Sequence, residues 1–205
     1  MALLISHPQR KSIRLKLQQN IILRTLKPRA FTELEKLLHI ADYKKGELLL
    51  GQGEHNMTQY FVLDGILKRV VSNTDGKEMI LRFAADDQME TCYAAWRLRT
   101  PTPYAIGALI KSRVAMLPME TWVDFLESQP IVKGDFEYEV MHLMSEVMAH
   151  AITLHLLDAK GRVQRFLRKH PELHDRIPMK ALALYLSLTP ETLSRLKQKK
   201  RLLVG

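Results

Sequence analysis

Two things are scarce in this 205-residue chain: cysteine, of which there is one, and long apolar runs. A single thiol excludes a disulfide framework, a four-cysteine zinc site and an all-cysteine iron–sulfur cluster. No apolar stretch reaches the ~18 residues a membrane-spanning helix needs. The start, MALLISHPQRKSIRLKLQQ, has an apolar run too short for a signal-peptide core and is followed by basic residues. The expectation is a cytoplasmic protein with no membrane partner. Histidine is also thin where metal chemistry would want it. Between Tyr43 and Leu117 only His55 occurs, and His142, His150 and His155 lack the i, i+4 spacing of a helical metal pair. Met141, Met144 and Met148 read as packing at helical spacing rather than as soft ligands. Neither a metal, a cofactor nor a catalytic residue is expected.

What the chain has is positive charge, in one place. The formal net charge is +9. Residues 160–205 carry 12 Lys+Arg against 3 Asp+Glu, while the preceding 159 residues carry 19 of each. A neutral body with a cationic end points to a polyanionic partner, with double-stranded DNA ahead of a membrane surface.

The pattern along the chain divides into three. Residues 1–133 are expected to form a barrel domain preceded by helices. In TELEKLLHI, Leu34, Leu37, Leu38 and Ala41 share a face, with Thr32 as N-cap and Glu35 three residues on. From Tyr43 to Leu117, strand-length runs (GELLLGQGE, YFVLDGILKRVV, EMILRFAADD, SRVAMLP) alternate with turn residues. Asp75-Gly76 marks a tight hairpin and Asp64-Gly65 a second turn, which argues for a sandwich or jelly-roll barrel. Residues 134–158 read as one long helix. Phe136, Val140, Leu143, Met144, Val147, Ala151 and Leu154 recur near a 3.5-residue period, the seam of a dimer rather than a broad core face. Residues 159–205 form a small basic helical domain, so the fold class is α+β.

In IPMKALALYLSLTPETLSRLKQKK, a helix from about Met179 to Leu186 is followed by a second one. Thr189 is its N-cap, Pro190 its first residue and Glu191 its early acid. Leu193 and Leu196 face Ala183 and Leu186. The result is a helix-turn-helix whose second helix enters the major groove by its N-terminal end. Glu191, Thr192, Ser194 and Arg195 are left outward: arginine suits guanine, glutamate cytosine, and serine either. Lys197, Lys199, Lys200 and Arg201 continue as phosphate ligands.

These stretches resemble the Crp/Fnr superfamily of bacterial transcription regulators over nearly the whole chain. YLSLTPETLSRL is similar to that family's recognition helix, LLDAKGRVQRFL to its hinge, and YFVLDGILKRVV with DGKEMILRF to its barrel of the cyclic-nucleotide-binding fold. The resemblance implies a homodimer on an inverted-repeat operator, with Glu191, Ser194 and Arg195 reading bases of a TTGAT-like half-site, and Asp158 at the hinge. An activator would add RNA polymerase as a partner. The sequence ends at KQKKRLLVG, where relatives usually add a β-hairpin wing.

The resemblance departs at the effector pocket. Where cyclic-AMP-binding members carry Gly-Glu and Arg-Ser pairs, this chain has Thr91-Cys92 and Thr102-Pro103; the pair facing adenine corresponds to Val147 and Met148. Proline lacks an N–H and threonine lacks charge, so cyclic AMP is doubtful. A slipped alignment would recruit Glu90 with Arg97 or Arg99. Cys92 is read either as a redox sensor or as a small buried hydrophobe. Tyr93 and Trp96 either fill the cavity or line a pocket for an unidentified small-molecule effector. Two other classes compete: a cyclic-nucleotide-responsive module that controls another protein, and a cupin-like enzyme, for which the histidine cluster is missing.

Overall fold

A computed structural model describes the backbone of residues 1–201 and the side chains of residues 1–198. A short strand β1 (Ala2–Leu3) leads into helices α1 (Arg10–Leu17) and α2 (Pro28–Leu37). Eight further strands follow: β2 (His39–Tyr43), β3 (Leu48–Leu50), β4 (Thr58–Asp64), β5 (Ile66–Ser72), β6 (Glu78–Ala85), β7 (Met89–Glu90), β8 (Ala105–Ala108) and β9 (Ser112–Pro118). Helix α3 (Tyr93–Arg97) lies between β7 and β8; after β9 come α4 (Met119–Glu127) and the long α5 (Pro130–Leu156). The chain closes with α6 (Ala159–Lys169), α7 (Met179–Leu186) and α8 (Pro190–Arg201).

The strands make two antiparallel sheets, ordered β1-β2-β9-β4-β7 and β3-β8-β5-β6. The hairpin at Asp75-Gly76 joins β5 to β6, with Ser72 opposite Glu78 and Gly76 at φ +75°. Asp64-Gly65 makes the second expected turn, and because β4 and β5 belong to opposite sheets it carries the chain across the barrel wall. Gly65 is required there. Its φ is +103°, and a Cβ would come within 2.4 Å of Ser112 Oγ and 2.6 Å of the Lys111 carbonyl.

Helix α2 begins earlier than its sequence pattern suggested. Pro28 occupies its first turn and Thr32 lies inside it, bonding back to the Pro28 carbonyl, so Thr32 is no cap. Glu35 is fully buried and receives Arg10 and Arg14 at 2.6 and 3.1 Å. A carboxylate so placed serves as a clasp for α1, not as half of a capping box. The apolar run ending that helix continues as strand, because Ile40 and Ala41 pair along β9.

Two apolar cores result. One fills the space between the sheets and extends under α1, α2, α4 and the first half of α5, where Phe61, Trp122 and Phe136 meet edge to face. The other lies on the outer face of the β5–β6 sheet: Ile66, Val70, Ile80 and Phe83 pack against Phe166, Leu182, Tyr185 and Leu186 of the C-terminal helices. Side chains alternate across a strand, so β5 and β6 supply both cores at once. The C-terminal helices are thereby docked on the barrel of their own chain. Arg176 adds an ion pair to Asp86 at 2.7 Å and a bond to the Gly65 carbonyl.

Candidate nucleic-acid interface and barrel interior

Helices α7 and α8 occupy the spans expected of the helix-turn-helix. The turn between them is tight because Ser187 adopts the left-handed conformation (φ 51°, ψ 48°), letting Leu188 N–H reach the Ala183 carbonyl at 2.9 Å. Thr189 caps α8 by accepting the Thr192 N–H at 3.2 Å. Leu193 is fully buried beneath Ala183 and Leu186. Glu191 and Arg195 are exposed on the first turns, with Thr192, Ser194 and Lys197 half-buried beside them. Arg195 bonds the Thr192 hydroxyl at 3.3 Å, which steadies the guanidinium over that turn. The Glu191 carboxyl is held below its usual range by the bonds it makes at the helix start, including one with Thr189. The side chains of Lys199, Lys200 and Arg201 lie outside the described residues.

The linkage to α5 is made by the hinge. Asp158 caps α6 by accepting the Gly161 N–H at 2.8 Å. Arg162, not singled out by sequence, donates to the carbonyls of Leu154 and Leu157 at the end of α5 (2.6 and 2.9 Å) and to those of Leu186 and Ser187 at the end of α7 (3.2 and 3.4 Å).

Along α5 the expected seam needs correction. Phe136, Val140 and Leu143 are buried in the core of their own barrel, and Leu154 is half-buried. Val147 lines a cleft between β6, α5 and the C-terminal helices. A 27-residue helix lying on a barrel has one apolar stripe for that barrel, and this is the stripe the period detects. A second stripe faces outward: Tyr138, Met141, Met148 and Ile152 are all at least half exposed, with Ser145 between them at the same spacing. Their steps of three and four residues follow the heptad spacing. Met144 and Ala151, both exposed, flank it.

The barrel interior departs further from expectation. Glu90 is fully buried, but Arg97 and Arg99 are exposed and stand away from it. Its partners are instead Arg69 of β5 and Arg82 of β6. Arg69 donates through both Nε and Nη2 to Glu90 Oε1, and Arg82 Nη1 reaches Oε2 at 2.7 Å. The same guanidiniums satisfy the carbonyls of Thr91 and Met89 at 3.1 Å each. Tyr104 covers Arg69, its ring centroid 4.2 Å from the guanidinium carbon, and its hydroxyl donates to the Thr91 carbonyl. Burial works against both charges, yet the Arg69 and Arg82 charges and their bonds hold Glu90 below the usual carboxylate range. Likewise Glu90 holds Arg69 above its ordinary value despite burial.

The signal for these arginines was present in parity. Arg69 is two residues from Leu67 and Arg82 two from Ala84, and both apolar neighbours point into the interior core.

The remaining pocket candidates fall into three places. Cys92 is fully buried with its sulfur 3.5 Å from the Thr102 hydroxyl, and burial raises its thiol pKa. That environment keeps the thiol protonated and favours its reading as a small buried hydrophobe. Tyr93 and Trp96 stack on each other over Phe136, partly burying the wall between barrel and α5. Met148 is exposed on the outer stripe, so neither it nor Val147 faces Glu90 within this chain. Among the described residues no group of His, Cys, Asp and Glu is placed to hold a metal, and no helix is long and apolar enough to cross a membrane.

Comparison with known proteins places this geometry. Residues 40–129 match the family model of the cyclic nucleotide-binding domain. No curated protein matches the chain by sequence. Among solved structures, FixK2 from Bradyrhizobium japonicum is similar at a TM-score of 0.70 and 20% identity, over 79% of this chain and 83% of that one. CooA from Carboxydothermus hydrogenoformans, in a doubly substituted form, gives 0.71 at 15% identity, covering 90% and 85%. A transcriptional regulator of the Crp/Fnr family from Eubacterium rectale gives 0.70 at 16%, covering 90% and 88%. Residues 40–129, which hold most of the barrel, are thus similar to the cyclic nucleotide-binding domain family, and the chain as a whole has the fold of the Crp/Fnr regulators.

Proposed function

We propose that this chain is a DNA-binding transcription regulator that holds an inverted-repeat operator as a homodimer. The observation that carries the reading is α8: a capped helix, buried on one side by Leu193, that leaves Glu191 and Arg195 exposed at its N-terminal end. The regulators of the same fold lend it further support. The dimer forms along the outward stripe of α5, Tyr138, Met141, Met148 and Ile152, with the two α8 helices about 34 Å apart to meet successive major grooves. Arg195 and Glu191 read base edges, Ser194 assists, and Lys197 contacts phosphate.

Selection of bound sites from random duplex DNA tests partner and symmetry together. Enrichment of a twofold-symmetric site supports the reading, and recovery of unselected DNA alone refutes it.

A further inference from the structure

Arg69 and Arg82 are direct cross-strand partners in the β5–β6 ladder. Both are buried, and both point to the barrel interior. Like charges directly opposite on adjacent strands repel, and burial strengthens the repulsion by removing water. Such a pair is stable only around an anion. The chain supplies one: the Glu90 carboxylate accepts from Arg69 on one oxygen and from Arg82 on the other. Tyr104 closes over Arg69, and Thr91, Cys92 and Thr102 fill the adjoining space, each buried and hydrogen-bonded within the protein. The residues that would otherwise meet an anionic effector are thus already engaged with one another.

We propose that Glu90 is a built-in ligand: its carboxylate occupies the anion position of the barrel between Arg69 and Arg82, so the folded barrel takes no anionic effector. Once the Glu90 side chain is removed, the two guanidiniums become a receptor for a small carboxylate or oxyanion of matching size. The inference rests on the regulator reading only for its consequence, which is operator binding independent of cyclic nucleotide. The binding tests below use no DNA, so their failure is distinct from failure of that reading.

The experiment uses the full chain in chloride-free buffer, with thermal melting and calorimetry as readouts. Wild type is expected to show no binding of cyclic AMP or cyclic GMP and no saturable change in Tm with acetate. Glu90→Ala removes the carboxylate and leaves space near both guanidiniums. It is expected to melt lower than wild type and to regain stability in acetate, with an upward Tm shift that saturates. Glu90→Gln keeps the volume filled and is expected to melt lower with no acetate rescue, which separates site occupancy from general salt effects. Should Glu90→Ala be insoluble, recovery by purification in acetate or inorganic phosphate supports the proposal, and no recovery in either overturns it. Saturable binding of a cyclic nucleotide to wild type at one per subunit overturns it as well. So does a Glu90→Ala protein that folds and responds to acetate no more than wild type does.

Discussion

The guanidinium of Arg162 lies 2.6 Å from the carbonyl oxygen of Leu154, at the point where the long helix gives way to the C-terminal domain. Its other N–H groups reach the end of α7, so one side chain caps two helix ends whose carbonyls carry partial negative charge. The angle between α5 and the helix-turn-helix is therefore set by a fork that lysine cannot reproduce. Arg162→Lys and Arg162→Ala are expected to lower operator affinity by about tenfold or more, since a hydrogen bond to a charged group contributes ~1.5–3 kcal/mol. The dimer mass should not change, and a site selection should show looser half-site spacing. Unchanged spacing preference in both variants would remove Arg162 from this role.

On the proposed function Arg195 reads a base, and its one hydrogen-bond partner among the described residues is the Thr192 hydroxyl on its own helix. Arg195→Ala should cost about 1–3 kcal/mol on the selected site and relax preference at one half-site position. Equal losses on selected and random duplexes would show that it contacts phosphate alone.

The outward stripe of α5 makes a separate prediction. Met148 is 65% exposed in the single chain and sits centrally between Met141 and Ile152. Met148→Glu places two carboxylates across the twofold axis and should convert the dimer to monomer, read by sedimentation or light scattering. Leu143→Glu instead buries a charge in the barrel core, since Leu143 is 3% exposed, and should destabilise the subunit itself. A dimer that survives Met148→Glu counts against this face.

The contrast between Met148 and Leu143 shows what sequence could reveal. Both repeats exist in the same helix, and a period near 3.5 cannot say which stripe meets the barrel and which is left exposed. The helix-turn-helix was legible to the residue because Thr189, Pro190 and Leu193 act locally, within one turn of each other. The β hairpin at Asp75-Gly76 was legible for the same reason. The barrel interior was not. Arg69, Arg82 and Glu90 are joined by a strand pairing and a sheet crossing, and alignment from Glu90 along its own loop led to Arg97 and Arg99. Charged residues at interior parity on two strands were the available sign, and parity is informative only once strand pairing is known. The double burial of the β5–β6 sheet also hid the docking of the C-terminal helices. A strand covered on both faces loses the polar alternation that marks a solvated side.

That docking supplies a pH dependence. His150 of α5 stacks on Tyr185 of α7 with ring centroids 3.8 Å apart, and its Nε2 lies 2.9 Å from the Tyr185 carbonyl oxygen. Burial, reinforced by the nearby positive charges of Lys169, His170 and Arg165, pushes its pKa down to about 4, against the hydrogen bond that works the other way. His170, on the same side, is lowered by burial and Lys169. A histidine whose folded pKa lies below its unfolded ~6.5 binds fewer protons when folded in the window between those values. Stability must therefore be full above about pH 6.5 and fall as pH drops toward 4, below which this contribution no longer changes. Because His150 is partly solvated, the loss is discounted to about 1–2 kcal/mol. Replacing it by phenylalanine keeps the stack and removes the titration. Melting curves of His150→Phe should accordingly change less than wild type between pH 6.5 and 4, with His170 and the depressed carboxylates such as Glu90 supplying the remaining slope. Parallel pH profiles for the two proteins would mean that His150 titrates normally and that the α5–α7 contact is not closed in solution.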